Sequence, residues 1–520
     1  MASKSLFKSI RGRLAPAATA RNEAGGNAYA MSAEQMLAQY VATGCMNSTF
    51  YASAQDQLDT VLALCEKVSP EFIARTALYC RSKGHMKDLP ALLCAVLSVR
   101  SPGLMAEVFD RVIDSPKMLR NFVQIMRSGV VGRKSLGTLP KRLVRSWLES
   151  RTDDALFFAS VGNDPSLADI VKMVHPNPQT SSREALYGYL IGRDHDADAL
   201  PDIVKQFEAF KSGATSNIPD VPFQMLTSLN LDTKAWKQIA RNGSWQMTRM
   251  NLNTFARHGV LKDKDVVKVI ANRLADEKQI MRARAFPYQL LVAHRMASKD
   301  VPDTIRHSLE IATEIATRNV PAIDGTTYVC IDVSGSMHSP VTGHRKGATS
   351  AVQCIDVAAL IAATVLRKNP DATIVPFNDT VVAMRLNPRD TVMTNAAQLA
   401  SAPWGGTNCS APLVHLNKSR SHVDTLIYVS DNQSWVDTTP NSWRNGTRTM
   451  QEWNTLKQRC PKAKLVCIDL QPYGTTQAQD RNDILNIGGF SDAVFEVVSK
   501  FASQGADAKH WVDVINAVSI

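Results

Sequence analysis

The chain predicts an α-solenoid of stacked helix pairs followed by a doubly wound α/β domain, with the division near residue 320. Two observations predict it. Apolar residues recur at helical spacing before that point, whereas short runs rich in Val, Ile and Tyr alternate with helical segments after it. The charge divides at the same place: residues 1–320 hold 42 Lys and Arg against 31 Asp and Glu, and residues 321–520 hold 17 against 17. At 520 residues the chain exceeds one ordinary core, and 44% hydrophobic with 21% charged residues is the composition of a globular protein. No run of about 18 apolar residues is present, so no membrane span and no membrane partner are expected. Nine cysteines lie without a CxxC pair or zinc-ligand spacing. Scattered thiols in odd number point to a reducing, cytoplasmic setting rather than to a disulfide framework.

The first 21 residues carry Lys4, Lys8, Arg11, Arg13 and Arg21 and no acid. They read as a mobile basic arm, with an organelle transit peptide as the alternative for a basic, Ser/Ala-rich, acid-free segment. The chain then reads as helix after helix. ALLCAVLSV (91–99), MLRNFVQIMRSG (118–129), KRLVRSWLES (141–150), ADIVKMVH (168–175) and DVVKVIANRLAD (265–276) have apolar residues at helical spacing. Ser101-Pro102-Gly103, Ser115-Pro116 and Pro176 to Pro178 punctuate them. Many helices of about 10–15 residues with short links suit a stacked array, which offers a long curved surface to an extended partner.

That partner is predicted to be a polyanion. Residues 115–148 hold Lys117, Arg120, Arg127, Arg133, Lys134, Lys141, Arg142 and Arg145 without one carboxylate, and acid-free stretches recur at 233–262 and 278–299. One such stretch is an ordinary solvated face. Three in one part of the chain, against a neutral remainder, favour a polyanion.

Beyond residue 320, TTYVCIDVS (326–334), ATIVPFN (372–378), TLIYVSD (425–431) and AKLVCIDL (463–470) read as strands, with helical segments at 351–369 and 450–460. This is the sequence form of a parallel sheet with helices on both faces. Ligands of such sheets bind at the carboxyl ends of the strands, where Asp332 and Asp431 fall. The loop after the first strand adds Ser334 and Ser336, and the glycine-rich turn PWGGTNCS (403–410) adds Thr407. Oxygen donors from three loops at one sheet edge suit Mg2+ or another divalent cation, which takes oxygen ligands and keeps several waters. Asp/Ser/Gly clusters are also common turns, so the whole set rather than DVSGS alone carries this reading. Catalytic readings are poorer: no GxSxG elbow surrounds Ser334 or Ser336, GVVGRKS (129–135) misses the phosphate-loop spacing, and HExxH is absent. A site with an open coordination position fits partner binding better than catalysis.

DxSxS, then a Gly-rich Thr, then a strand-terminal Asp resemble the metal-ion-dependent adhesion site of von Willebrand factor A domains. A long helical part ahead of such a domain is similar to the Ro ribonucleoprotein family, whose helical part is the TROVE module. The resemblance spans nearly the whole chain. It rests on RNEAGGNAYAMSAEQMLAQYVATG (21–44), YCRSKGHMKDLPALLCAVLS (79–98), ADIVKMVHPNP (168–178), MTRMNLNTFARHGVL (247–261) and RAFPYQLLVAH (284–294). It implies a basic arm over 1–21, a HEAT-like TROVE helical-repeat ring over 22–320 and an A domain over 321–520.

The resemblance further implies a non-catalytic RNA-binding scaffold of the bacterial or phage type. Such a protein binds Y-like small noncoding RNA on a basic outer surface and takes single-stranded ends of misfolded RNA into the ring, for RNA quality control or decay. A protein partner such as an exoribonuclease docks through the RNA or the A domain. By the same resemblance His175 contacts RNA, with Lys172 one helical turn before it; the alternative is that His175 only caps its helix before Pro176. Where members of that family often carry a basic cluster ahead of this helix, the chain reads LFFASVGNDP (156–165), which moves the expected contacts to Arg133, Lys134, Lys141, Arg142 and Arg145. Around NLNTFARHGV the expected contacts are Arg249, Arg257 and His258, with Leu252 and Phe255 as core. A metal-dependent interaction adaptor without RNA and a metal-dependent nuclease are the alternative functions.

Overall fold

The computed structural model describes residues 16–43, 53–84, 86–283, 285, 287–341, 352–435, 446–479, 481–489, 493–503 and 511–520. Most of the basic arm (1–15) and Arg284 therefore lie outside the described residues. The chain forms two compact units. An α/β unit is built from Met1–Leu64, Ala275–Ala297 and Arg306–Ala517, and a helical unit from Cys65–Leu274, Ser298–Ile305 and Val518–Ile520. The boundary expected at residue 320 thus separates sequence patterns rather than compact units.

In the helical unit the expected helices form at Asp88–Arg100, Pro116–Ser128, Thr138–Glu149, Leu167–Val174 and Lys264–Leu274. Their ends follow local chemistry. Ser115 caps the second of these through a hydrogen bond from Met118 N–H, with Pro116 at the first turn and Gly129 closing the other end at φ 90°. Ser166 and Asp169 make a reciprocal capping box at the start of Leu167–Val174. Pro116–Ser128 and Thr138–Glu149 each bury one apolar face, with Phe122, Trp147 and Leu148, whereas Asp88–Arg100 is buried all round, and the Trp147 Nε1–H donates to the Ile113 carbonyl at 2.6 Å.

The α/β unit contains β1 (Ala20–Arg21), β2 (Asn27–Ala30), β3 (Thr327–Asp332), β4 (Thr373–Phe377), β5 (Thr425–Ser430), β6 (Lys464–Asp469), β7 (Thr475–Thr476) and β8 (Ile484–Gly488). A parallel sheet runs in the order β4-β3-β5-β6-β8, and a small sheet in the order β1-β2-β7. Parallel strands are buried on both faces, which is why VCID, LIYV and LVCI read as nearly continuous apolar runs. On one face Val329, Ile331, Val429 and Ile468 pack against the helix Cys354–Lys368, itself buried almost all round, and against Leu399. On the other, Cys330, Tyr428 and Cys467 pack against Leu413, Trp453 and Leu456.

Residues 20 and 21, read from the sequence as part of a mobile arm, are ordered instead: Ala20 pairs with Ala28 and Arg21 with Asn27. Their backbone groups find strand partners in β2, which in turn pairs Tyr29 with Thr476 of β7.

Candidate metal centre and nucleic-acid interface

β3 and β5 are adjacent and in register, so Asp332 and Asp431 leave the sheet at the same edge. Asp332, Ser334, Ser336, Thr407 and Asp431 are all buried there. Three loops are locked to one another by backbone and hydroxyl bonds. The Gly335 N–H donates to the Gly405 carbonyl at 3.0 Å, and the Trp435 N–H to the Thr407 carbonyl at 3.2 Å. Ser334 and Ser336 hydroxyls lie 3.2 Å apart, and the Ser336 hydroxyl hydrogen-bonds Asp431. One Asp332 oxygen accepts from the Ser334 N–H at 2.8 Å and the other from the Ser430 hydroxyl at 2.6 Å.

The electrostatics call for a cation. Burial, with the nearby Asp431 carboxylate, pushes the Asp332 carboxyl up to about 7, and burial likewise raises Asp431. No Lys or Arg lowers either group among the described residues. A third carboxyl, Asp469 at the end of β6, is raised well above the usual range by burial and by Asp431. The donor set of two carboxylates and three hydroxyls fits Mg2+, which needs only one or two carboxylates and keeps waters.

A pH dependence follows from these shifts. Because Asp332 titrates near 7 in the folded state and near 3.8 when exposed, the metal-free protein loses stability as pH rises through that window. Protons would compete with any divalent cation held by these carboxylates, so calorimetric titration with Mg2+ is expected to show affinity falling by up to about tenfold per unit as pH drops below 7.

The sequence reading missed what holds these loops. Asp379 Oδ2 accepts the Gly406 N–H at 2.8 Å, and a Cβ on Gly405 would sit 2.7 Å from that oxygen. The turn Asn22 to Gly26 packs on the loop of Asp431: Asn22 Nδ2 donates to the Ser434 carbonyl at 2.7 Å, and the Glu23 N–H to Gln433 Oε1 at 2.8 Å. A Cβ on Gly26 would lie 2.5 Å from the Ser434 carbonyl oxygen, so this position demands glycine for close approach. The AGG within RNEAGGN was the available signal.

In the helical unit Lys172 and His175 lie exposed at the end of Leu167–Val174. His175 adopts a left-handed conformation, φ 51°, and its N–H caps the helix on the Val171 carbonyl at 3.0 Å, while its imidazole faces solvent. The backbone caps the helix and the side chain stays exposed, so capping leaves the imidazole free of the helix end. Arg145, on the packed helix Thr138–Glu149, donates through Nε to the Val174 carbonyl, which brings Arg145, Lys172 and His175 together. Lys134 and Arg142 are exposed and Lys141 half-buried.

Two expected contacts are turned inward instead. Arg133 is half-buried and donates to the Ser98 carbonyl at 2.8 Å. Arg249 is drawn among the helices 5.9 Å from the Trp245 ring, and burial lowers its pKa. Counting charges along a sequence does not reveal which guanidinium satisfies a carbonyl left over at a helix end. Two further cations of the acid-free stretches are also consumed by ion pairs: Lys237 with Asp263 at 2.9 Å and Arg295 with the buried Asp356 at 2.6 Å. At LFFASVGNDP a basic group arrives from another helix, because the Arg120 guanidinium covers Gly162 and donates to the Ala159 carbonyl at 3.2 Å.

Arg257 and His258 line a cleft of about 1030 Å³ together with Phe223, Trp236, Met247 and Met250. His258 stacks on the buried Trp236 at 4.1 Å, and Met250 is 66% exposed. Leu252 and Phe255 are core, as expected.

A largely helical region followed by a parallel five-stranded α/β domain defines a protein of the TROVE-and-A-domain class. The Ro60 vWA domain matches residues 326–502 and the TROVE domain matches residues 189–325. The chain belongs to the Ro60 family. It is 25% identical over 518 residues to the RNA-binding protein RO60 of Deinococcus radiodurans, covering 93% of this chain and 95% of that protein. The crystal structure of the Deinococcus radiodurans RO (RSR) protein superposes with a TM-score of 0.63 at 22% identity, covering 91% of this chain and 99% of that one. Among the described residues no helix is long and apolar enough to cross a membrane.

Proposed function

We propose that the protein is a non-catalytic RNA-binding scaffold of a Ro-type ribonucleoprotein. It takes Y-like small noncoding RNA on the cationic helix-end cluster and single-stranded ends of defective RNA elsewhere, for RNA quality control or decay in the cytoplasm. The observation that carries this is the convergence of Arg145, Lys172 and His175 at one helix end beside Lys141 and Arg142, in a chain similar to a protein named RNA-binding. Structured RNA is read mainly through its backbone and shape, so cations at helix ends suffice for contact. The cleft of Phe223, Met250, Arg257 and His258 supplies the mix of apolar, cationic and ring surfaces that a single strand needs.

Fluorescence anisotropy with a structured RNA tests it. Affinity falls steeply with salt, with a log–log slope of about −0.7 to −0.9 per phosphate contact, and EDTA leaves it largely intact. A salt-independent affinity overturns the proposal.

In the same reading Asp332, Ser334, Ser336, Thr407 and Asp431 hold Mg2+, which presents a Lewis-acidic position to an oxygen ligand from a protein partner such as an exoribonuclease. The buried, mutually bonded loops favour that second role specifically. An adaptor without RNA would purify free of nucleic acid, which the ratio of absorbance at 260 and 280 nm reads directly.

A further inference from the structure

A thiol, an imidazole and a carboxylate stand in file at the amino edge of the parallel sheet. Cys460, which ends the helix Arg448–Arg459, places Sγ 3.8 Å from His422 Nδ1, and His422 Nε2 lies 3.2 Å from Asp424 Oδ1. The carboxylate is itself held in place: Asp424 Oδ2 accepts the Thr326 N–H at 2.8 Å, and the Asp424 N–H donates to the Thr326 carbonyl at 3.0 Å. His422 and Asp424 precede β5, which leads to Asp431 at its other end, so about 20 Å of strand separates this file from the carboxyl edge. Nothing in it depends on a metal.

The order of the atoms fixes a direction for the proton. A carboxylate only accepts, so Nε2 carries the hydrogen, and in the neutral ring Nδ1 is bare and faces the Cys460 thiol. A nucleophile within reach of a base that a third group orients is the arrangement that activates a thiol. The surroundings leave that task to the imidazole. Cys460 stands at the C-terminal end of its helix, where free carbonyls disfavour a developing anion, and the Ser421 carbonyl lies 3.9 Å from Sγ. Arg459 brings a cation to the same corner, but its guanidinium donates to the Leu416 and Ser421 carbonyls at 3.3 and 3.4 Å. Cys460 is 4% exposed, more than any other described cysteine, whereas the His422 side chain is 67% exposed and stands between the thiol and solvent. Such an approach admits a small reagent, and with Asp424 and Arg459 both at the corner a charged one gains nothing.

We propose that Cys460 is a modification site that exchanges with small, uncharged disulfides, with His422 as its base and Asp424 as the residue that positions the imidazole. As Sγ attacks one sulfur of the disulfide, its proton passes to His422 Nδ1 and the S–S bond breaks. One half stays on Cys460 as a mixed disulfide, and the other leaves as a thiolate that takes the proton from His422. The protein thiol is oxidised, the small disulfide is reduced, and added thiol reverses the exchange.

The test treats the reduced full chain with 2-hydroxyethyl disulfide near neutral pH, quenches with acid at intervals, and reads each cysteine peptide by mass spectrometry. The expected result is a mixed disulfide on Cys460 that forms about tenfold or more faster than on Cys330 or Cys467, buried in the same core cluster. His422→Gln and His422→Ala each slow it by about tenfold or more. Asp424→Ala slows it as well, and Asp424→Asn, whose amide oxygen still accepts the Nε2–H, recovers part of the rate. An imidazole that only covers the thiol acts in the opposite direction, because its removal opens the sulfur to solvent. Faster exchange in His422→Ala, with Cys330 and Cys467 still slow, therefore overturns the proposal. Those two thiols report opening of the fold in every sample, so a variant that unfolds is recognised by all its cysteines reacting together. The wild type decides without any variant: exchange on Cys460 no faster than on Cys330 and Cys467 overturns the site.

Discussion

Replacing Lys141, Arg142 and Lys172 together by Glu lowers the affinity for structured RNA by about a hundredfold or more at moderate salt and reduces the salt slope by about 3. These side chains project from two helices packed on each other, Thr138–Glu149 and Leu167–Val174, and among the described residues none of them makes a close ion pair like those of Arg295 and Lys237. Arg145 is left in place because its guanidinium satisfies the Val174 carbonyl, and its loss would free a helix end as well as a charge. Thermal unfolding should therefore be nearly unchanged in the triple variant. Anisotropy titrations at several salt concentrations separate the effect from unfolding, and an unchanged affinity would discard this face as the RNA surface.

The second large effect concerns Gly26→Val. A valine there must displace the Ser434 carbonyl, which its Cβ would otherwise approach to 2.5 Å. Overpacking of this kind costs about 1–3 kcal/mol. It also pushes on the segment that begins at Asp431, so Mg2+ affinity is expected to fall by about tenfold or more, together with the melting temperature. Asn22→Ala removes the donor to the same carbonyl without adding bulk, at about 1–3 kcal/mol for a buried acceptor left unsatisfied. Calorimetry with Mg2+ on both variants checks the coupling: melting that shifts while Mg2+ affinity does not would show that the turn supports the fold but not the site.

The sheet was legible because four strands are apolar, β-branched runs ended by Asp or Asn. β8 was not, since Ile484–Gly488 has Asn486 at its centre and two glycines after its last isoleucine, a composition closer to a turn. The gathering of Asp332, Ser334, Ser336, Thr407 and Asp431 at one sheet edge was legible, since each lies at or just beyond a strand end or in a glycine turn, and register alone brings Asp332 and Asp431 to one edge. Their surroundings were not. Asn22 and Ser434 are 412 positions apart, and no local pattern announces that one will bond the other. The packing of Arg133 and Arg249 was hidden for the same reason: sequence gives the charge but not the carbonyl or ring beside it. The exposure of Trp404 is likewise invisible to periodicity, since a lone tryptophan after a proline fits core and surface equally.

The pairing of Tyr29 with Thr476 has a consequence for the order in which the molecule is made. On a ribosome moving at about 5–20 residues per second, the first edge strand waits roughly 20–90 s for the segment it must join. During that time all of the helical unit except Val518–Ile520 is made, while the β1–β2 hairpin lacks its third strand. Newly made chain thus leaves this hairpin open to mispairing until Thr476 emerges, long after its own two strands are made.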